Sequence, residues 1–151
     1  MATDDTNDVL NDLIETSKDG EYGFRTSAEH IKSPEIKQLF MQRADDCRQA
    51  AADLQALVMQ RGGSAETSGS ATGAMHRGWV AVKGTISSHS DKSILEETER
   101  GEDIALESYR KALSTDLPPE VLEVVERQFE GVKRNHAQVR ALRDQARTAE
   151  A

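Results

Sequence analysis

Glu21, Glu102 and His136 are the residues of this chain whose types and spacing suit chemistry. Glu102 belongs to the run ERGEDIALESYRKAL at 99–113, four residues after Thr98 and three before Ala105, on the stripe that a packed helix buries. Glu21 stands in the same relation to Ser17 and Phe24, and His136 to Val132 and Val139. A carboxylate taken out of water is costly unless it is paired, protonated or bound to a metal. Two uses follow. One is a buried polar network that fixes helix register, with Arg43 as the inward cation and Gln128, Lys133 and Tyr109 as its other members. The other is a site in which Glu21, Glu102 and His136 hold a metal ion.

Four long helices must position these groups. Leu10, Leu13, Ile14, Phe24, Ala28 and Ile31 recur at helical spacing and predict a helix over about 9–31. Ser33 as cap and Pro34 at the first helical position open a second, over about 35–60, which RGG at 61–63 stops. The capping-box pattern Ser93-x-x-Glu96 predicts a third over about 93–114. After TDLPPE, Val121, Val125, Phe129, Val132, Val139 and Leu142 carry a fourth over about 119–147. Between the second and third, SAETSGSATG reads as loop, and Met75, Trp79, Val82 and Ile86 predict a short amphipathic helix over about 74–87. No strand is expected. The fold class is all-α, a single domain over 1–151 in which two helical hairpins are joined by a long crossover.

The hairpins resemble each other. DGE at 19–21 answers RGE at 100–102, SPEI at 33–36 answers PPEV at 118–121, and QAL at 55–57 answers RAL at 140–142. Glu21 and Glu102 thereby occupy like positions. The counterpart of His136 on the second helix is Ala51, so that helix lacks a histidine.

This pattern resembles the ferritin-like superfamily, including rubrerythrin-type proteins. Over about 130 residues the segments LNDLIETSKDGEYGF, MHRGWVAVKG, ERGEDIALESY and VERQFEGVKRNHAQVRALRD are similar to bacterial ferritin-like four-helix-bundle proteins of unassigned function. The resemblance implies a dinuclear iron or manganese centre built from one Glu on each of the first and third helices and a Glu-x-x-His motif on each of the others. Glu21, Glu102 and His136 match three of those ligands. The rest departs: Lys133 stands where the motif needs Glu, and neither Arg48 to Ala51 nor Asp46 to Gln49 supplies the pair on the second helix.

A formal charge of −8 argues against a nucleic-acid or anionic-membrane surface, and no apolar run is long enough to span a bilayer. The single cysteine, Cys47, forms no internal disulfide and reads as a small buried hydrophobe. With an acidic, polar N-terminus, the expected location is the cytoplasm. The acidic run EETERGED reads as solvated helix surface apart from Glu102, and Tyr22 and Tyr109 as packing residues with their hydroxyls at a rim. Phosphate loops, Cys-x-x-Cys pairs and nucleophile elbows are missing. The expected partner is a second copy of the chain, bound through Met75, Trp79 and Val82. The first functional reading is a non-catalytic structural or interaction protein without a cofactor, with a stress-related role implied by the resemblance. The alternative is a protein that holds one iron or manganese ion through Glu21, Glu102 and His136, with oxidase or metal-handling activity.

Overall fold

The computed structural model describes residues 2–66 and 90–150. Four helices account for nearly all of them: α1 (Ala2–His30), α2 (Pro34–Gln60), α3 (Asp91–Leu113) and α4 (Pro119–Glu150). Among the described residues there is no strand, and the fold is an all-α four-helix bundle. The predicted helix over 74–87, with Met75, Trp79, Val82 and Ile86, lies outside the described residues.

Local chemistry sets most of the boundaries. The Ser33 hydroxyl accepts the Ile36 N–H at 3.3 Å, and Pro34 follows it at the first helical position. At the other end of α2, Gly62 takes a φ of 78° while the Gly63 N–H bonds the Val58 carbonyl at 3.0 Å. That left-handed turn suits glycine and closes the helix in a Schellman motif. Two boundaries differ from expectation. α1 starts at Ala2, not near residue 9, because ATDDTND carries no apolar period yet contains no helix breaker, and its aspartates favour a helix N-terminus. α3 is capped by Ser90 rather than Ser93: the Ser90 hydroxyl accepts the Ser93 N–H at 3.4 Å.

Contacts at the helix ends fix the topology. The Asp91 carboxylate accepts the N–H groups of Lys32 and Ser33 at 2.8 and 3.0 Å, so α3 begins beside the α1–α2 turn. At the opposite end, Arg61 pairs with Glu120 at 3.4 Å, and Asn11 bonds the backbone of Ser64 and Glu66. α2 and α3 therefore run in one direction, and α1 and α4 in the other. The connection between α2 and α3 leaves one end of the bundle and arrives at the other, roughly 40 Å away for a helix of this length. α1 packs closely on α2 and α3, and α4 closely on α3, but α2 and α4 barely touch.

Among the described residues, two apolar clusters hold the bundle. Phe24, Ala28, Phe40, Ala44, Ile94, Leu95 and Val139 pack near the α1–α2 turn, with Phe24 edge-on to Phe40. Leu10, Leu13, Ile14, Leu54, Val58, Val121 and Val125 pack near the other end. Between them all four helices present polar or small residues: Ser17 and Gly20, Arg43 and Cys47, Thr98 and Glu102, Gln128 and Asn135. Thr98 satisfies its hydroxyl on the Ile94 carbonyl at 2.7 Å.

Candidate functional site

The polar layer surrounds a cavity of about 490 Å³ that opens where α2 and α4 stand apart. α1 and α3 form its floor through Ser17, Gly20, Phe24, Glu102, Ala105 and Tyr109. Its mouth carries Arg43 and Asp46 from α2 and Gln128, Arg134, Asn135 and Gln138 from α4. α1 approaches α2 closely here, since a Cβ on Gly20 would lie 2.9 Å from Cys47 Sγ.

Glu102 is the innermost acid, only 3% exposed, and its Oε1 atom has no hydrogen-bond partner. Burial pushes its carboxyl up to about 8; Arg43 opposes the shift, and Asp103 and Glu99 add to it. At neutral pH the group is mainly a neutral acid. Arg43 does not clamp it: one terminal nitrogen pairs with Asp46 at 3.0 Å and the other donates to Gln138 Oε1 at 2.7 Å, while its Nε is buried without a partner.

The other expected ligands turn elsewhere. Glu21 pairs with Arg25, one turn along α1, at 3.3 Å. His136 Nε2 meets Asp103 Oδ1 at 2.5 Å and lies 3.9 Å from Glu99, so it faces α3 at the rim of the layer. Neither residue lines the cavity. Because α4 packs on α3 and scarcely on α2, its inward stripe is turned toward α3 and carries His136 with it. Lys133 also lies away from the layer: it pairs with Glu130 at 2.9 Å and covers the Phe129 ring. Among the described residues, no group of three or more His, Cys, Asp or Glu side chains is placed to hold a metal ion.

Glu99 departs from the solvated surface expected for EETERGED. It is buried, accepts from Arg140 Nε at 3.1 Å and is also paired with Arg143. Arg140 and Arg143 lie four and seven residues after His136, on one face of α4. That basic stripe opposite an acid on a neighbouring helix is the signal that was available in the sequence.

Tyr109 is buried, and its hydroxyl donates to Gln128 Oε1 at 2.8 Å; Gln128 in turn donates to the Ala50 carbonyl at 3.3 Å, joining α3, α4 and α2. Burial raises the phenol above its ordinary range. Tyr22 is half exposed. The Cys47 thiol is pushed up to about 12, first by burial and then by Glu102, Asp46 and Glu21. The cavity thus offers a protonated carboxyl, an amide and guanidinium donors, with neither a thiolate nor a phenolate at neutral pH.

A family model described as "Domain of unknown function (DUF2383)" matches residues 5–115. Among solved structures, the chain is similar to a conserved hypothetical protein from Mycobacterium tuberculosis at 12% identity, covering 91% of this chain and 96% of that one with a TM-score of 0.72. That likeness supports the fold alone. No curated protein matches the chain.

Proposed function

The chain belongs to the DUF2383 family, and on that premise we propose that it is a ferritin-like bundle acting as a non-catalytic structural or interaction protein. The observation that carries this reading is the way its acids are neutralised. Glu21 is paired with Arg25, Glu99 with Arg140 and Arg143, and Glu102 keeps a proton. Arginines and a proton do here what two divalent ions do in a dinuclear carboxylate centre, which draws on four carboxylates and two imidazoles. The reading extends to a cytoplasmic homodimer that touches through Met75, Trp79 and Val82, for which sedimentation of Trp79→Ala against wild type is the test.

One observation favours a second reading. The unpartnered Oε1 of Glu102 is a free oxygen ligand for one iron or manganese ion. To complete such a site Glu21 must leave Arg25, and His136 must leave Asp103.

Calorimetric titration of the metal-free protein with Fe(II) and Mn(II), paired with an oxygen electrode, decides between the two. The first reading expects no saturable site and oxygen consumption no faster than iron in buffer. A saturable site for one or more ions per chain would overturn it, and rapid oxygen uptake would add oxidase activity to the second reading.

A further inference from the structure

α4 is held in two different ways along its length. Toward its start it buries Val121 and Val125 completely in the apolar cluster at that end of the bundle, with Phe129 packed beside them. From Val132 to Ala149, Val139 is the one buried side chain among the described residues, and Leu142 and Ala146 are half-buried. Charge holds this second stretch. It carries five Lys or Arg against one acid, Asp144, and it faces the acidic run of α3. Arg147 pairs with Glu96 at 2.6 Å, Arg140 with Glu99 at 3.1 Å and Arg143 with Glu99, while His136 bonds Asp103 at 2.5 Å. Arg140 and Arg147 are half exposed or more, so salt reaches their pairs.

Gly131 lies between the two stretches, inside the helix. A Cβ there would meet nothing nearer than Arg134 Nη2 at 3.7 Å, an ordinary contact, so packing does not call for glycine. Alanine would fit and is the better helix former, which leaves Gly131 as a weak point that crowding does not explain. α2 scarcely touches α4, so the helix has room to move on that side. Val132, Arg134, Asn135 and Gln138, all beyond Gly131, line the cavity.

We propose that α4 beyond Gly131 is a charge-held strap over the cavity, which turns about Gly131 and leaves α3 as a unit when its ion pairs are screened, while the stretch before Gly131 stays docked. Raising salt from about 0.01 M to about 1 M shortens the screening length from about 30 Å to about 3 Å, which weakens the exposed pairs of the strap and spares the apolar contacts of Val121 and Val125. A helix of this length detached from its neighbours is marginal in water, so the released strap frays and its amides exchange. Opening removes one wall of the cavity and gives access to its floor.

The inference goes beyond the non-catalytic reading, and its readout involves neither metal nor oxygen. The test is amide hydrogen exchange of the full chain, followed by NMR at one neutral pH in about 0.01 M and about 1 M NaCl. Amides from 136 to 146 are expected to exchange roughly tenfold faster or more in high salt, and those from 124 to 129 to change less than about twofold. Arg147→Glu, made at an exposed site, is expected to speed strap exchange at low salt by roughly fivefold or more, and the swapped pair Glu96→Arg with Arg147→Glu to restore it. Gly131→Ala is expected to slow strap exchange about threefold or more, because the better helix former resists the turn. The proposal is overturned if salt speeds both stretches alike, if strap amides exchange only when the whole chain unfolds, if the swapped pair exchanges as fast as Arg147→Glu, or if Gly131→Ala leaves strap exchange unchanged.

Discussion

Glu99 and Glu102 stand one turn apart on α3, both buried, and their carboxyls are neutralised in opposite ways. Glu99 is enclosed by Arg140 and Arg143, whereas Glu102 has an oxygen without a partner and is held protonated by burial. One depends on counter-charge and the other on a proton, so they respond differently to substitution.

The raised pKa of Glu102 makes stability fall with pH. Below about 4.5 the acid is protonated in both folded and unfolded chains; between there and about 8 the unfolded chain ionises first, and folding loses free energy. Glu102→Gln removes this dependence. Urea unfolding at pH 5, 7 and 9 should show the variant gaining on wild type by on the order of 3–4 kcal/mol across that range. Parallel pH profiles would contradict the protonated state.

Removing Glu99 takes one of two anions from Arg143, which keeps Asp144 at 2.9 Å. Glu99→Ala should therefore cost about 1–2 kcal/mol, less than stranding a buried charge. Glu99→Leu combined with Arg143→Met should recover most of that loss, because charge and counter-charge leave together. Thermal unfolding of the three proteins checks it, and additive losses in the double variant would show that the pair is not coupled.

Tyr109→Phe keeps the ring stacked on Phe129, with centroids 6.3 Å apart, but leaves Gln128 Oε1 without its donor. The expected loss is about 1–2 kcal/mol. Adding Gln128→Leu should cost little more, and a double-mutant cycle reads the coupling directly.

Much of the bundle was legible because burial imposes a helical period on Leu, Ile, Val and Phe, and SPEI and PPEV mark two helix starts. The polar layer was less so. Spacing alone places His136 inward, but the close packing of α4 on α3 turns that stripe toward Asp103. Glu99 hides among exposed acids of the same run, and only the arginines opposite distinguish it. The pseudo-equivalence of Glu21 and Glu102 holds along the sequence but not in environment, since an arginine one turn away draws Glu21 outward. Ser90 displaced Ser93 as cap because helix starts are set by backbone geometry that the capping-box pattern only approximates.

The contact of Gly20 with Cys47 predicts a context-dependent sign. Alanine at 20 gains about 1 kcal/mol of helix propensity, but its Cβ meets the sulfur at 2.9 Å. Gly20→Ala should therefore destabilise wild type, yet stabilise a Cys47→Ala background by up to ~1 kcal/mol once the sulfur is gone. Equal effects in both backgrounds, measured by urea unfolding, would show that the sulfur does not limit the approach of α1 to α2.

The central claim, that a proton rather than a metal neutralises the innermost acid, is tested most directly by ¹³C NMR of the Glu102 carboxyl. Protein labelled at glutamate side-chain carboxyls, with Glu102→Gln used to assign the resonance, would be titrated from pH 3 to 10 before and after addition of Mn(II). The account predicts a titration midpoint near 8 and a resonance that Mn(II) leaves sharp at neutral pH. A midpoint in the ordinary carboxylate range, or selective broadening of this resonance by stoichiometric Mn(II), would contradict it.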